Sequence, residues 1–423
     1  MCIILTFQES KVIMKSDIIV IGGGASGLAA AIMAAREGAG VTILERMPRI
    51  GKKLLATGNG RCNYTNRFMD IGCYHSRNLA FVSHVLETFT WKDTEDFFSG
   101  LGILPKAKEG YVYPNSMQAA SVLDALRFEL ERLRVNIVTD CHVTEIRPKG
   151  RGFQVLCKDK TFHCRRIILA CGGKASEKLG SDGSGYELCR KLGLSIVPVV
   201  PALTGLKVKE KYYKALSGIR TEGSVTLYID GKKADCHTGE LQLADYGISG
   251  IPVFQLSGQA AYGLLNHRKV TCELDFFPEW ETDKLTAFLN SRFKHFKGQP
   301  PEVFETGLLN RKLIHECMKL ACRNEKRTFP DMSALAHILK HFPATVIESR
   351  GFDFAQVCAG GVDLSEIDPN TCASVKYPGL YITGELLDAD GICGGYNLQW
   401  AWATGSIAGK HAGKEYYDTN RTN

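Results

Sequence analysis

The chain has 423 residues, a formal net charge of +7 and 15 cysteines. Its length predicts two or three domains, the small charge predicts no nucleic-acid partner, and no apolar run reaches the roughly 18 residues of a membrane span. The cysteines occur singly, without C-x-x-C or paired zinc spacing, which indicates a reducing cytoplasmic compartment and no metal site.

The chain starts with an apolar stretch, residues 1–13, that has no basic region before it and no small-residue cleavage site after it. A signal peptide is therefore not expected. Since Met14 lies just before the first predicted strand, residues 1–13 are interpreted as an extension, a frayed end or the product of an upstream start codon.

The first informative motif is an apolar run, residues 17–21, followed by G-x-G-x-x-G at Gly22, Gly24 and Gly27. The β-branched residues before the glycines predict a buried parallel strand, and the Ala-rich residues after them predict a helix. Gly22 permits a tight turn, Gly24 leaves room for a pyrophosphate, and Gly27 lets the helix pack on the strand. The helix N-terminus would then offer free N–H groups to phosphates.

A second strand supports a nucleotide site. Residues 41–44 are apolar and end at Glu45, about 20 residues past the glycines, where a ribose-binding carboxylate belongs. The alternative is a tight strand–helix turn without a ligand, and it does not explain why strand, glycines, helix, strand and acid follow in this order. The pattern therefore predicts a dinucleotide-binding fold.

The loop in residues 46–63 is rich in cations, glycines and amides and has no helical or strand periodicity. Lys52, Lys53 and Arg61 are candidates to face phosphates or an electron-rich ring. The glycines of the T-G-N-G segment would let backbone N–H groups converge on an anion. The alternative is a solvated basic turn, but loops this rich in donors usually bind a ligand.

Helices and strands alternate in the rest of the first half, which leads to a second glycine turn. Helical periodicity covers residues 79–101 and 117–134. Strands are predicted at a hairpin over 106–114 and at 135–138, 143–146, 153–157, 161–164 and 166–169. The last strand runs into Gly172 and Gly173, and in flavoproteins with two dinucleotide folds such a strand returns to the cofactor. A helix should follow, with Asp182 or Ser184 as its cap.

The pattern changes at residue 194. Short β runs, one of them followed by an Asp230-Gly231 turn, predict a β-rich domain over 194–280. Residues 281–348 are helical and basic, and we expect a helical insert there that also holds the return strand of the β domain. One helical face in this insert is typical of core packing, and it carries Leu285, Phe288, Leu289 and Phe293.

The C-terminal part repeats the first pattern. Residues 378–388 predict a strand ending in an acidic turn, and residues 390–399 place glycines before an Ala-rich helix. Such a helix start suits an anionic or electron-rich ligand. The simplest interpretation is a discontinuous nucleotide domain, residues 1–193 and 349–423, into which the β-rich domain and the helical insert are placed.

Seven motifs span nearly the whole chain. They are V-I-G-G-G-A-S-G-L-A-A-A at 20–31, G-K-K-L-L-A-T-G-N-G-R-C-N at 51–63, A-C-G-G at 170–173, G-S-D-G-S-G-Y at 180–186, Y-G-I-S-G-I-P-V at 246–253, A-G-G-V at 359–362 and G-E-L-L-D-A-D-G-I-C-G-G-Y-N-L-Q at 384–399. Together they resemble the YhiN/BaiN-type family of FAD-dependent oxidoreductases. The resemblance implies an α/β fold in which a discontinuous Rossmann-like FAD-binding domain carries an inserted β-barrel and a small helical insert. One departure is Ile251, which precedes Pro252 where the family usually has an uninterrupted S-G-P.

The resemblance also implies the cofactor and its contacts. FAD would place its adenosine on Glu45, its pyrophosphate at residues 22–27, its flavin ring near residues 59–63 and 395–398, and its ribityl or pyrophosphate side on Asp388. The implied cofactor-binding residues are Gly22, Gly24, Ala25, Ser26, Gly27, Glu45, Arg46, Lys53, Leu54, Thr57, Gly58, Asn59, Gly60, Arg61, Cys62, Asn63, Val143, Ala170, Gly172, Gly173, Gly384, Glu385, Asp388, Gly395, Tyr396, Asn397 and Leu398.

The function that the resemblance implies is reduction of a small apolar enone, such as a 3-oxo-4-ene or 4,6-diene bile-acid or steroid intermediate. NADH or NADPH would bind transiently as electron donor, because no second G-x-G-x-x-G marks a dedicated NAD(P) domain. Two alternatives stay open: an oxidase that acts on a small amine with oxygen as acceptor, and a redox sensor without turnover. A disulfide reductase is disfavoured, since Cys62 has no closely spaced partner.

The sequence does not fix the catalytic residues, the choice of NADH or NADPH, or an oligomeric state. Arg61 and Tyr396 are the candidates for stabilising or protonating an enolate, and Tyr113 is a further candidate proton donor. Cys62 is expected to be a small buried residue beside the flavin rather than a reactive thiol. Three histidines are expected at the surface or in the core rather than in catalysis: His75, His84 and His142.

Overall fold

The computed structural model describes residues 12–322 and 329–421. The chain forms two compact units, one that ends at Val199 and resumes at Val357, and another that spans Val200–Gln356. The predicted N-terminal extension lies outside the described residues except for its last two positions, which already belong to the first strand. The domain boundaries drawn from the sequence at residues 193, 280 and 348 stay predictions.

Strands and helices are numbered in chain order. The strands are β1 (Val12–Ile21), β2 (Val41–Leu44), β3 (Thr65–Asn66), β4 (Tyr74–His75), β5 (Pro105–Lys108), β6 (Tyr111–Pro114), β7 (Asn136–Val138), β8 (Val143–Lys149), β9 (Gly152–Cys157), β10 (Lys160–Leu169), β11 (Ile196–Ala202), β12 (Leu206–Val208), β13 (Arg220–Ile229), β14 (Lys232–Ala244), β15 (Gly247–Ser249), β16 (Val270–Asp275), β17 (Phe342–Ser349), β18 (Val357–Val362), β19 (Leu380–Ile382) and β20 (Asp390–Gly391). The helices are α1 (Ala25–Arg36), α2 (Leu79–Thr88), α3 (Trp91–Gly100), α4 (Ala119–Arg132), α5 (Ser184–Lys191), α6 (Ile251–Leu265), α7 (Thr282–His295), α8 (Pro301–Glu305), α9 (Arg311–Ala321), α10 (Met332–Lys340) and α11 (Tyr396–Arg421).

The sheet of the first unit has the order β7-β2-β1-β10-β9-β8, with β19 beside β10. Strands β7, β2, β1, β10 and β19 are parallel, and β1 is wholly buried at Ile18, Ile19 and Val20. A β-branched run of this kind suits a central strand that is covered on both faces. The carboxyl ends of the parallel strands share one edge, which is where ligands bind in open α/β sheets.

Strand β10 is longer than the sequence pattern suggested. The runs 161–164 and 166–169 were predicted as separate strands, but they form one strand, paired with β1 from Lys160 to Leu169. The two central arginines interrupt the apolar pattern without breaking the backbone ladder, because Arg165 is exposed and the ladder continues at Arg166.

Helices α1 and α11 approach each other closely on one side of this sheet. A Cβ atom on Gly405 would lie 2.3 Å from the Ser26 carbonyl oxygen, and one on Gly409 would lie 2.2 Å from the Ala30 carbonyl oxygen. Glycines four residues apart on α11 therefore let the two backbones touch. This contact fixes the C-terminal helix against the helix that follows the first glycine motif.

The second unit contains a closed antiparallel barrel with strand order β12-β15-β14-β13-β16-β17. Helix α6 was not predicted. It starts after Gly250, whose φ of +102° makes the turn, and Pro252 stands in its first turn. The departure at Ile251 therefore lies at a helix start, where proline is well tolerated. The predicted α/β fold class with an inserted barrel and helical elements is confirmed.

The helices α7 to α10 lie in the chain between the barrel strands β16 and β17. Leu285 and Leu289 of α7 are fully buried, as predicted. The prediction that Phe288 belongs to the core is wrong, because 39% of this residue is exposed. Its side chain packs edge-on against Trp280 at a ring distance of 5.5 Å, which covers only part of it.

Candidate functional site

The first glycine turn leaves a backbone pocket at the start of α1. A Cβ atom on Gly22 would lie 2.3 Å from the Ala170 carbonyl oxygen, and one on Gly27 would lie 2.0 Å from the Gly22 carbonyl oxygen. No atom lies within 4 Å of the corresponding position on Gly24, which caps α1 without a side-chain hydrogen bond. The open space and the uncapped N–H groups fit the pyrophosphate of a dinucleotide.

Glu45 lies at the carboxyl end of β2, where its carboxylate closes the glycine turn. Its Oε2 accepts a hydrogen bond from the Gly23 N–H at 2.7 Å, and its Oε1 accepts one from the Met47 N–H at 2.7 Å. A carboxylate has about four acceptor positions. The half-buried side chain can therefore still accept hydrogen bonds from ribose hydroxyls.

The loop in residues 46–63 contains a kinked helical segment, Leu54–Gly60. Asn59 and Cys62 both have positive φ angles, 54° and 58°, which is uncommon for residues with side chains. Backbone hydrogen bonds hold the turn, including one of 3.1 Å from the Cys62 N–H to the Thr57 carbonyl oxygen. Strained backbone that is over-determined in this way is typical of ligand-binding sites.

Cys62 is fully buried in this loop. Burial raises the pKa of its thiol to about 12, although a hydrogen bond with Thr57 acts in the opposite direction. A thiol with this pKa is not ionised near neutral pH, so it is a poor nucleophile. The geometry supports a structural role for Cys62.

Glu385 joins the loop to the C-terminal motif and to the second glycine turn. Its Oε2 forms an ion pair with Lys53 Nζ at 2.9 Å, and its Oε1 accepts a hydrogen bond from the Cys358 N–H at 2.9 Å. A Cβ atom on Gly173 would lie 2.7 Å from the same Oε1. Segments that are far apart in the chain therefore meet on one carboxylate.

Two further glycines bring the C-terminal motif against the N-terminal segments. A Cβ atom on Gly395 would lie 3.0 Å from Asn63 Oδ1, and one on Gly384 would lie 2.6 Å from Ser26 Oγ. Asn63 is itself held by the Val112 N–H, which donates to its Oδ1 at 3.2 Å. The structure thus brings together some of the predicted residues, from four separate motifs, at the carboxyl edge of the sheet.

Arg46 forms an ion pair with Asp182 at 2.9 Å. Burial alone would raise the pKa of Asp182, but hydrogen bonds from the Ser184 hydroxyl and N–H, together with the Arg46 charge, lower it.

The N-cap of α5 is Gly183 rather than Asp182 or Ser184, the two predicted residues. The φ of +83° at Gly183 makes the turn, and Asp182 accepts hydrogen bonds from Ser184 from outside the helix.

The acidic turn after β19 is buried and held by backbone groups. Asp388 is 4% exposed and accepts a hydrogen bond from the Arg77 N–H at 3.1 Å. Burial raises the pKa of this carboxyl group above its usual range. Asn397 closes the following loop, since its side chain exchanges hydrogen bonds with both the N–H and the carbonyl oxygen of Gly391.

The remaining predicted residues differ in their burial. Leu54, Val143 and Ala170 are buried, Gly172 and Leu398 are half-buried, and Gly58 to Gly60 are exposed. Gln399 was not predicted as a site residue, yet it is fully buried and its Oε1 accepts hydrogen bonds from Thr65 and Thr94. The sequence does contain a signal for this role, because Gln399 is a polar residue near the start of a largely apolar helix.

The histidines were expected to be surface or core residues. His84 bonds to Asn370 at the surface and His142 is exposed. His75 differs, because its Nδ1 lies 3.4 Å from Oδ2 of the buried Asp390, on the neighbouring strand β20. This pair ties the start of the C-terminal glycine motif to β4.

The proton-donor candidates have different surroundings. Tyr396 is 6% exposed and its hydroxyl donates to the Phe68 carbonyl oxygen at 2.9 Å. Tyr113 lies on β6, and its Cε1 would be 3.8 Å from a Cβ atom on Gly58. Burial and the nearby Tyr111 raise the pKa of Tyr113, while Arg61 opposes this. Within residues 12–322 and 329–421, neither the exposed Arg61 guanidinium nor the Tyr113 hydroxyl has a hydrogen-bond partner.

Residues 16–411 match the model of the HI0933-like protein Rossmann domain. The chain belongs to the HI0933-like family. The 3-dehydro-bile acid delta(4,6)-reductase of Clostridium scindens is 46% identical over 93% of this chain and 98% of its own length. The ribosomal RNA dihydrouridine synthase of Escherichia coli is 27% identical over 92% of this chain and 96% of its own length.

A solved structure shares the fold of this HI0933-like chain. The 3-ketosteroid delta1-dehydrogenase from Sterolibacterium denitrificans aligns over 95% of this chain and 100% of its own, with a TM-score of 0.50 and 12% sequence identity. The resemblance inferred from the seven motifs is confirmed, and so is the prediction of an oxidoreductase. In the described part of the chain, no helix is long and apolar enough to cross a membrane and no group of three or more potential ligands could hold a metal ion.

Proposed function

We propose that this protein is an FAD-dependent reductase that saturates a carbon–carbon double bond conjugated to a ketone in a steroid or bile-acid intermediate. The observation that carries the proposal is the 46% identity, over nearly the whole chain, to a protein named 3-dehydro-bile acid delta(4,6)-reductase. A double bond next to a ketone is the chemical feature that a 3-oxo-4-ene and a 4,6-diene share. The uncapped start of α1 and the strained loop around Asn59 and Cys62 support an FAD site in this chain.

FAD fits the residues that the structure assembles. The N–H groups after Gly24 would bind its pyrophosphate, the Glu45 carboxylate would accept its ribose hydroxyls, and the Asn63–Gly395 junction would lie beside its ring. Bound by these residues, FAD would supply the hydride chemistry of the reduction, with NADH or NADPH as its electron donor. The ion pair between Lys53 and Glu385 would keep the loop and the C-terminal motif together around the cofactor.

The chain's own residues would stabilise the developing charge and deliver a proton. Hydride addition to the β-carbon places negative charge on the ketone oxygen, and Arg61 has its guanidinium available for that oxygen. Tyr113 is the better proton donor for the α-carbon, because the hydroxyl of Tyr396 already donates to Phe68. A tyrosine with a raised pKa keeps its proton at neutral pH.

A steady-state assay tests both the substrate class and the electron donor. The protein is incubated with NADH or NADPH and a 3-oxo-4-ene or 4,6-diene steroid, and the loss of enone absorbance and the mass of the product are measured. We expect the steroid to gain two hydrogens with at least one of the two donors. An unchanged steroid, together with rapid consumption of oxygen in the presence of a primary amine, would support the oxidase instead.

A second candidate is reduction of uridine in ribosomal RNA. The Escherichia coli relative with this name aligns over 92% of the chain, and the uracil double bond is also conjugated to a carbonyl group. This function would contradict our prediction of no nucleic-acid partner. The two are distinguished by incubating the reduced protein with protein-free ribosomal RNA and measuring dihydrouridine, which the steroid reductase should not form.

A further inference from the structure

Two cysteine side chains face each other at one end of the antiparallel strands β8 and β9. The sulfur atoms of Cys141 and Cys157 are 3.0 Å apart, and the residues are 4% and 7% exposed. Cys141 lies two residues before β8 and Cys157 ends β9, where Val143 pairs with Cys157. The neighbouring residues 140, 142 and 158–160 are exposed, so a small local opening would give solvent access to the pair.

The loop that carries Cys141 is hydrogen-bonded through its backbone to the segment that carries Glu45. The Cys141 N–H donates to the Glu45 carbonyl oxygen at 2.9 Å, and the Asp140 N–H donates to the Met47 carbonyl oxygen at 3.3 Å. A change at this thiol pair therefore acts on the backbone directly behind the Glu45 carboxylate. The thiol pair is therefore connected to the predicted nucleotide site through two backbone hydrogen bonds.

The two thiols differ in how easily they lose their proton. The hydrogen bond between them lowers the pKa of Cys141, burial opposes this, and the charge of Lys160 adds to the lowering. The same hydrogen bond raises the pKa of Cys157, and burial adds to the increase. Cys141 is thus the sulfur that ionises more easily, and thiolates are the reactive form of cysteine.

We propose that Cys141 and Cys157 are a reversible oxidation site whose disulfide fixes the loop between β7 and β8 behind Glu45. Hydrogen peroxide is the oxidant. The Cys141 sulfur attacks one peroxide oxygen, the O–O bond breaks, and water leaves with a Cys141 sulfenic acid in place. The Cys157 sulfur then attacks the Cys141 sulfur, the S–S bond forms, and the S–O bond breaks to release a second water. Two thiols and one peroxide give one disulfide and two waters, and the two electrons pass from sulfur to oxygen.

Peptide mapping tests the chemistry. The full-length protein is treated with hydrogen peroxide, unfolded, alkylated and digested without reductant. We expect a peptide pair linked through Cys141 and Cys157, alkylation of the remaining 13 of 15 cysteines, and loss of the link after reduction. Cys157→Ser should abolish the link. Cys164→Ser should keep it, because Cys164 is buried in the same sheet on β10. Full alkylation of both thiols after peroxide treatment would overturn the proposal.

Hydrogen exchange tests the structural consequence. In the oxidised protein the amides of Asp140 and Cys141 should exchange severalfold more slowly than in the reduced protein, and Cys157→Ser should show no such difference. If the linked peptide forms but exchange at these amides is unchanged, the proposal that the disulfide fixes the loop between β7 and β8 is overturned. Slower release of FAD from the oxidised protein is also expected, but only this last readout rests on the proposed function. The peptide map and the exchange rates stand if FAD is absent.

Discussion

At the scale of single residues, the two tyrosines near the glycine loops are distinguished by their hydroxyl groups. Tyr396 belongs to the conspicuous C-terminal motif, yet its hydroxyl donates to a backbone carbonyl and its ring is buried. Tyr113 lies in an unremarkable hairpin, but it is next to the strained turn at Gly58. We therefore assign the proton of the reduction step to Tyr113.

Replacing Tyr113 with phenylalanine tests this assignment. General acids typically contribute about 10²–10⁴ in rate, so Tyr113→Phe should slow enone reduction by a factor in this range. Reduction of the flavin by NADH or NADPH should be unchanged, because that step needs no proton from Tyr113. Tyr111→Phe is the matched control on the same strand. Equal losses in both variants, or a loss in flavin reduction alone, would contradict the assignment.

The pH profile gives a second check on Tyr113. Burial raises the pKa of its phenol above the usual value of about 10, so the protonated, proton-donating form persists as the pH rises. Enone reduction by the wild-type protein should therefore show no loss attributable to this group until the pH exceeds about 10. Tyr113→Phe should remove any alkaline limb. A fall centred near neutral pH would point to a different acid.

At the scale of elements, the contact between α1 and α11 holds the two glycine motifs in register. Gly409 has no room for a side chain, because its Cβ atom would lie 2.2 Å from the Ala30 carbonyl oxygen. Alanine improves helix propensity by about 1 kcal/mol, but overpacking a core typically costs about 1–3 kcal/mol. Gly409→Ala should therefore lower the free energy of unfolding in denaturant titrations.

Gly100→Ala is the control for this helix substitution. Gly100 ends α3 and has no atom within 4 Å of its Cβ position, so the added methyl group meets open space. We expect Gly100→Ala to leave the unfolding midpoint unchanged or slightly raised. If the Gly409→Ala protein is as stable as this control, the two helices can move apart without a loss of folding stability. That result would contradict the conclusion that the close contact at Gly409 stabilises the fold.

Elements with a strong local signal could be predicted from the sequence. The buried strand β1, the helix α1 and the hairpin of β5 and β6 follow from periodicity and glycine position. Helix α6 could not be found in this way, because its residues lie inside the segment 194–280 that the short β runs predicted to be β-rich. The partial exposure of Phe288 depends on which neighbours cover helix α7, and a helical repeat alone does not specify them.

At the scale of the whole molecule, the candidate site is built from segments that lie at both ends of the chain. The motifs indicated which residues belong to it, since glycines and acids at helix starts have local signatures. The contacts that join them, such as the ion pair of Lys53 with Glu385 and the buried hydrogen bonds of Gln399, depend on packing across more than 300 residues. Local patterns carry no information on such pairs.

The most direct test of the central claim is a single-turnover experiment followed at the flavin absorbance band. The holoprotein is reduced under anaerobic conditions with light or dithionite, so that no nicotinamide is needed, and is mixed with a 3-oxo-4-ene steroid. We predict that the oxidised flavin spectrum returns and that one saturated ketone forms per flavin. A flavin that stays reduced with the enone, but is rapidly reoxidised when air is admitted, would contradict the proposed reductase.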